Sequence, residues 1–219
     1  MYYAIIGDII NSRAINNRRE FQNSFMSSLT EVNDKYYYDI ASNFTITLGD
    51  EFQGLLKKPD NIIDIIEDIK KKVYPVRIRF GIGIGDIYTD INHELALGAD
   101  GPAYIFARKM IEEIRQGEKS YEPFVQEVKV YGIQDGTKEI LINTIFSLWT
   151  VIEKSWTPSQ REKIYSYMEN KTQRKTAEKL GIYQPAIHMS FQRANFYSYQ
   201  NASQILRNAL KTIEGNYDR

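Results

Sequence analysis

The sequence predicts an α/β (α+β) chain in two parts. A ferredoxin-like, split βαβ sandwich occupies residues 1–138, and an all-α helix-turn-helix part occupies 156–219, joined by a helix over 139–155. Three observations carry this reading. Period-two apolar runs alternate with 3.6-period stripes up to Tyr131, and after that point only helical stripes remain. A small-residue, glycine and aliphatic triplet follows in the last third. The charge also divides: 28 Lys and Arg balance 28 Asp and Glu overall, but residues 151–219 hold 11 against 6, or +5, leaving −5 for residues 1–150. Opposite signs on two halves suit partners of opposite charge.

Tyr2–Ile6 is an apolar run ended by Gly7-Asp8, the length of a buried strand. Phe21, Phe25, Leu29, Val32 and Tyr36 then recur at helical steps. Ala41–Leu48 alternates, breaks at Gly49-Asp50 and resumes as Phe52-Gln-Gly-Leu-Leu56, a hairpin pattern. Ile62, Ile66, Ile69 and Val73 mark a second helix with Asp60 as its expected N-cap. Val76, Ile78, Phe80, Ile82 and Ile84 share one strand face, with Arg77, Arg79 and three glycines on the other. The two arginines are expected to be solvated or paired. Gly81, Gly83 and Gly85 sit inside that strand with no helix opening after them, so they form no dinucleotide loop.

The turn Leu97-Gly-Ala-Asp-Gly-Pro102 opens a third helix carrying Ala103, Ala107, Met110 and Ile114. Phe124–Tyr131 alternates as a last strand, and Leu141, Ile145, Leu148 and Ile152 stripe the joining helix. The expected arrangement has two helices on one face of an antiparallel-dominated sheet. Thr157-Pro-Ser-Gln160 caps the next helix. Ala177, Gly181 and Ile187 then stand at helix-turn-helix spacing: close packing, a turn, and a core anchor. A final stripe of Ser203, Leu206, Leu210 and Ile213 is expected to pair two chains into a homodimer.

Composition excludes much chemistry. Without cysteine there are no disulfides, thiolate zinc sites, iron–sulfur clusters or cysteine nucleophiles. With only His93 and His188, a three-histidine metal site is impossible. The N-terminus has no basic region before its apolar run, and no stretch reaches a membrane span, so a cytoplasmic protein is expected. Carboxylates are then the remaining metal ligands. Asp8 ends the first strand and Asp50 tips the hairpin, so in a split βαβ sheet both converge on one edge beside the Ile9 carbonyl. Hard oxygen ligands of that kind suit Mg²⁺ or Mn²⁺. Arg13, just past Asp8, is a candidate phosphate ligand. Gly-Asp is also ordinary turn chemistry, which leaves a purely structural reading open.

Four motifs, Gly7-Asp-Ile-Ile-Asn-Ser-Arg13, Ile46-Thr-Leu-Gly-Asp-Glu-Phe-Gln-Gly54, Arg79-Phe-Gly-Ile-Gly-Ile-Gly85 and Gly98-Ala-Asp-Gly-Pro-Ala103, together resemble the SatD family of small bacterial proteins, associated with acid-tolerance operons. More distantly, the order of strand-end Asp, hairpin Gly-Asp, Arg-hydrophobic-Gly-Ile strand and Gly/Asp-opened helix is similar to class III nucleotidyl cyclases and GGDEF diguanylate cyclases. That resemblance implies metal binding at Asp8 and Asp50 and a transition-state helix at Gly101–Ile114 with Arg108 at the arginine position. It also implies departures: Tyr104 stands where cyclases place an Asn, with Ile105 there on a one-residue shift, and Ile46 stands where they place a purine-specifying Lys. Asp100, Tyr104 and Arg108 lie four apart and share one face, making Asp100 and Arg108 nucleotide-binding candidates.

Residues 157–193 resemble the helix-turn-helix of sigma-factor region 4. The second helix presents Tyr183, Gln184, His188, Gln192 and Arg193, a set suited to adenine edges and phosphates in the major groove of DNA. The expected function is a DNA-binding regulator with a metal- and nucleoside-triphosphate-binding palm. An active, metal-dependent nucleotidyl cyclase or nucleotidyltransferase with a helical dimerisation part is the alternative.

Overall fold

The computed structural model describes residues 1–47, 49–96, 98–120 and 125–213. The expected Leu48, Leu97 and Phe124 positions lie outside the described residues. The chain runs β1 (Tyr2–Ile9), α1 (Arg18–Lys35), β2 (Ile40–Ile46), β3 (Glu51–Leu56), α2 (Ile62–Val73), β4 (Ile78–Gly85), α3 (Pro102–Glu118), β5 (Val128–Tyr131) and α4 (Gly136–Lys154). Four helices follow: α5 (Pro158–Asn170), α6 (Gln173–Leu180), α7 (Gln184–Arg193) and α8 (Phe196–Lys211). The sheet order is β2-β3-β1-β4-β5, antiparallel except for the parallel β4–β5 pair.

The expected two-layer arrangement is corrected to three layers. Tyr3, Ile5 and Ile9 of β1 face a core filled by α1 and α2, while Ala4 and Ile6 face Ala103, Tyr104, Ala107 and Ile111 of α3 on the opposite side. The glycines of β4 explain the third layer. A Cβ at Gly83 would stand 1.9 Å from the Ala103 carbonyl oxygen, and one at Gly81 would stand 2.1 Å from that of Ala107. Only bare backbone lets α3 come this close.

β1 runs one residue past Asp8 to Ile9, so Asp8 is a strand residue with a fixed side. One smaller expectation also changes. Helix α2 is preceded by Asn61 with no side-chain cap, and Asp60 faces Lys211 at 3.5 Å instead of capping.

The C-terminal helices are fastened to the α/β half. Trp149 of α4 donates to Ser203 Oγ of α8 at 2.9 Å and stacks on Tyr199, and Trp156 donates to the Ala194 carbonyl at 2.8 Å. Arg207 of α8 reaches Asp64 and Glu67 of α2 at 2.9 and 2.7 Å. The α8 stripe of Ser203, Leu206 and Leu210 is therefore buried within the chain, which corrects its expected role in pairing two copies. The joining helix α4 packs along β5 and α8 over its length. No helix among the described residues is long and apolar enough to cross a membrane.

Candidate functional site

The pleat decides what Asp8 meets. Side chains alternate along a strand, so Asp8 shares the α3 face with Ala4 and Ile6. Its direct partner on β3 is Glu51, which lies on the same face as Leu55. Two carboxylates side by side under a helix need cations, and the sequence supplies three. Arg79 of β4 donates to Asp8 Oδ2 at 2.5 Å. Arg115 of α3 donates to Asp8 Oδ1 at 2.6 Å and to Glu51 Oε1 at 3.1 Å, and Arg108 reaches Glu51 Oε2 at 3.2 Å. Arg79 also pairs with Glu118 at 2.5 Å. Asp8 is 1% exposed, whereas the Arg115 and Arg108 side chains are 39% and 51% exposed. Burial works against the Arg79 charge, but its bonds to Glu118 and Asp8 prevail and raise its pKa. For Arg115 the bond to Asp8 is the main cause of a raised pKa.

Asp50 stands on the same edge but in a different setting. Its carbonyl accepts the Ile9 N–H at 3.0 Å, and its carboxylate accepts the Ser12 hydroxyl at 2.6 Å. Arg18 lies over Gly49, so that a Cβ there would meet its guanidinium at 3.3 Å, and Gln22 donates to the Gly49 carbonyl. Arg13 sits in a short 3₁₀ turn, Ser12–Ala14, and is exposed. Asp8, Ile9 and Asp50 thus share an edge as expected, but both Asp8 oxygens are committed to guanidinium groups. Among the described residues no group of three acidic or histidine side chains is arranged to hold a metal. The edge, so arranged, does not fit a resident Mg²⁺ or Mn²⁺ ion.

Asp100, Tyr104 and Arg108 line one groove of about 470 Å³ together with Gln53 and Lys109. Asp100 precedes α3 and accepts the Gly101 N–H at 2.8 Å, while Gln53 donates to the Ala96 carbonyl at 2.8 Å. The Tyr104 side chain is buried, its hydroxyl has no partner among the described residues, and burial raises its pKa. Glu51, Arg79, Arg115 and Arg18 were not singled out as site residues in the sequence. The period-two alternation from Leu55 back to Glu51 was the available signal for Glu51. For the arginines only strand order could have supplied one.

The helix-turn-helix forms as the spacing predicts. Thr157 and Gln160 make a reciprocal capping box at the start of α5. Gly181 turns the chain at φ +64°, and Ala177 and Ile187 are buried between α6 and α7. Phe191 packs on Phe196 at 4.6 Å. Tyr183, Gln184, His188, Gln192 and Arg193 are all exposed, and Tyr183 precedes α7 at its N-terminus. The His188 ring bonds the Tyr197 hydroxyl at 2.9 Å, which in turn accepts from Gln173 at 3.0 Å. This contact links α6, α7 and α8 along the outer surface.

The model of the SatD family matches residues 2–209, and the chain belongs to that family. No curated protein matches it. Among solved structures, it is similar to a bacterial light-regulated adenylyl cyclase (15% identity, TM-score 0.40, over 59% of this chain and 74% of that one). It is similar to the guanylate cyclase domain of RhGC from Catenaria anguillulae in complex with GTP (15% identity, TM-score 0.34, over 50% and 71%). It is also similar to a regulator of polyketide synthase expression from Bifidobacterium adolescentis (9% identity, TM-score 0.27, over 96% and 84%).

Proposed function

We propose, with membership of the SatD family as the premise, that this protein is a DNA-binding regulator whose α/β half binds a nucleoside triphosphate. The observation that carries the DNA reading is the α6–Gly181–α7 unit, held by a buried Ala177, Ile187 and Phe191 core and leaving Tyr183, Gln184, His188, Gln192 and Arg193 exposed. Gln184 and Gln192 offer amide pairs for adenine edges, Arg193 a guanidinium for phosphate or guanine, and Tyr183 and His188 flanking contacts.

In the α/β half, the support for the nucleotide reading is that Arg108, half-exposed, lines a groove and that Arg115, also half-exposed, shares Glu51 with it. Phosphate oxygens compete well with carboxylates for guanidinium groups. The triphosphate, entering as its Mg²⁺ or Mn²⁺ complex, draws Arg115 and Arg108 from Asp8 and Glu51, with Arg13 at the open edge and Asp100 beside the groove. Asp8 keeps its bond to Arg79, and Asp50 its bond to the Ser12 hydroxyl.

Fluorescence anisotropy of labelled duplex DNA with the full chain tests the first half. The expected result is binding that weakens steeply with salt, as counterion release requires, with a shallower slope for Arg193→Ala. DNA affinity indistinguishable from background at low salt would overturn it. Nucleotidyl cyclase activity is the alternative, favoured by Asp8 and Asp50 meeting at one sheet edge. Pyrophosphate release from ATP or GTP with Mn²⁺, abolished by Asp50→Asn, would select it over a binding role.

A further inference from the structure

Strand β1 is the middle strand of the sheet, and its Asp8 has a fixed neighbour on each side. In the two ladders it stands directly opposite Glu51 of β3 and Arg79 of β4, so all three side chains leave the sheet on the α3 face. Strand register therefore holds Arg79 to Asp8. The far side of its guanidinium is fastened to Glu118, at 3.0 Å through Nε and 2.5 Å through Nη2, and its side chain is 13% exposed. From α3, one nitrogen of Arg115 bridges the two acids. Nη2 lies 2.6 Å from Asp8 Oδ1 and 3.1 Å from Glu51 Oε1, while Nε reaches Asp8 Oδ2 at 3.1 Å. With Arg108 on the other oxygen of Glu51, three carboxylates meet three guanidinium groups, and the cluster carries no net charge.

Two carboxylates opposite each other on neighbouring strands are donors of the kind hard divalent ions take, and here a guanidinium nitrogen fills the place between them. We propose that Arg115 and Arg79 are the built-in counter-cations of this edge. Together they supply the two positive charges of one divalent ion, and they keep such an ion out.

The exclusion is electrostatic. An ion entering between Asp8 and Glu51 adds two charges to a neutral cluster and must turn Arg115 out. It also competes with Arg79 for Asp8, and Arg79, nearly buried, would be left with Glu118 alone. Guanidinium N–H groups match phosphate oxygens as well as carboxylates, so a triphosphate can be held by Arg115 and Arg108 directly. On the nucleotide reading above, triphosphate binding then needs no divalent ion. The exclusion of an ion from the chain itself does not rest on that reading.

Titration of the full chain with Mn²⁺, without nucleotide and followed by electron paramagnetic resonance, tests the exclusion. The wild type is expected to show no saturable site up to about 5 mM Mn²⁺. Arg115→Ala opens the place between the two acids and is expected to bind Mn²⁺ at about 0.5 mM or tighter, a gain of about tenfold or more. Adding Asp8→Asn should abolish that gain. Arg115 is partly exposed, so the circular dichroism of Arg115→Ala should match the wild type. In a second arm, ATP and GTP are titrated into the wild type with Mg²⁺ and with EDTA, and EDTA is expected to weaken binding by no more than about fivefold. Three results would each overturn the proposal: a wild-type Mn²⁺ site that Asp8→Asn removes, a folded Arg115→Ala protein without a site, or a larger loss of triphosphate affinity in EDTA. Triphosphate binding under neither condition would overturn the nucleotide reading alone, and the Mn²⁺ titration would still decide the exclusion.

Discussion

Two clusters of paired charge lie at the same end of the sheet, one holding Arg77 and the other Arg79, and they differ in where their cations stand. At the junction with the C-terminal helices, Lys70 of α2 bonds Glu153 of α4 at 2.7 Å and Glu127 at 3.2 Å and lies 4.7 Å over the Trp149 ring. Arg77 also pairs with Glu127, and Arg161 reaches Glu153 at 3.1 Å. Lys70 and Arg161 are 7% and 12% exposed, so both charges are sealed in. At the Asp8 edge both anions are shielded, Arg79 is nearly buried, and the other two cations, Arg115 on Asp8 and Glu51 and Arg108 on Glu51, are open to solvent. A sealed cluster joins elements, because moving either charge leaves the other unpaired in a poor dielectric. A cluster whose cations are exposed exchanges partners at much lower cost, which is what a phosphate site requires.

The largest effect should come from the sealed cluster. Lys70→Ala removes the buried cation that Glu127 and Glu153 share, leaving Arg77 to the one and Arg161 to the other, and is expected to cost up to about 3–5 kcal/mol, read from the urea midpoint of the full chain. A loss below about 1 kcal/mol would mean that the cluster does not hold the two halves together.

Next, Gly83→Ala pushes against the Ala103 carbonyl and should cost about 1–3 kcal/mol while lifting the helix that carries Arg108 and Arg115. It therefore disturbs the open cluster and spares the sealed one. Nucleotide affinity should fall while the near-ultraviolet signal of Trp149 and Trp156 persists.

The pH dependence separates the clusters further. Burial opposes ionisation of Glu127, and Lys70 and Arg77 overcome it, holding its carboxyl below the usual 4.5. A depressed carboxyl stabilises the fold above its unfolded value and loses that contribution as pH falls through the folded one. The unfolding free-energy gap between wild type and Glu127→Gln should therefore shrink as pH drops from about 5 toward 3. Glu67, raised above its usual value mainly by burial, works in the opposite direction, and it cancels in this difference.

The smallest stability effect belongs to Arg115→Ala. Asp8 keeps Arg79, and Arg115 is partly solvated, so the expected cost is about 1 kcal/mol or less.

Much of the molecule was legible because its signals are local. Thr157 with Gln160, Gly101-Pro102, and the Ala177, Gly181 and Ile187 triplet each specify a cap, a helix start or a turn within a few residues, and each forms as read. What was not legible depends on which strands become neighbours. Arg79 was expected to be solvated or paired, yet nothing near it names Asp8, 71 residues away, as its partner. Lys70 reads as part of a basic helix end, Lys70-Lys-Lys72, and only one of the three is sealed. The glycines of β4 were recognised as strand residues, but their purpose, admitting α3 to a second face, follows from packing alone. Asp50 drew attention as the second half of a Gly-Asp pair, whereas the pleat places its neighbour Glu51 opposite Asp8.

The most direct test of the contrast is calorimetric titration of GTP and of ATP, each with Mg²⁺, into the full chain and into Arg115→Ala. The account predicts saturable binding of a triphosphate to the wild type and about tenfold or greater weakening in Arg115→Ala, at an almost unchanged urea midpoint. No binding of either nucleotide to the wild type, or equal affinity in the two proteins, would contradict it.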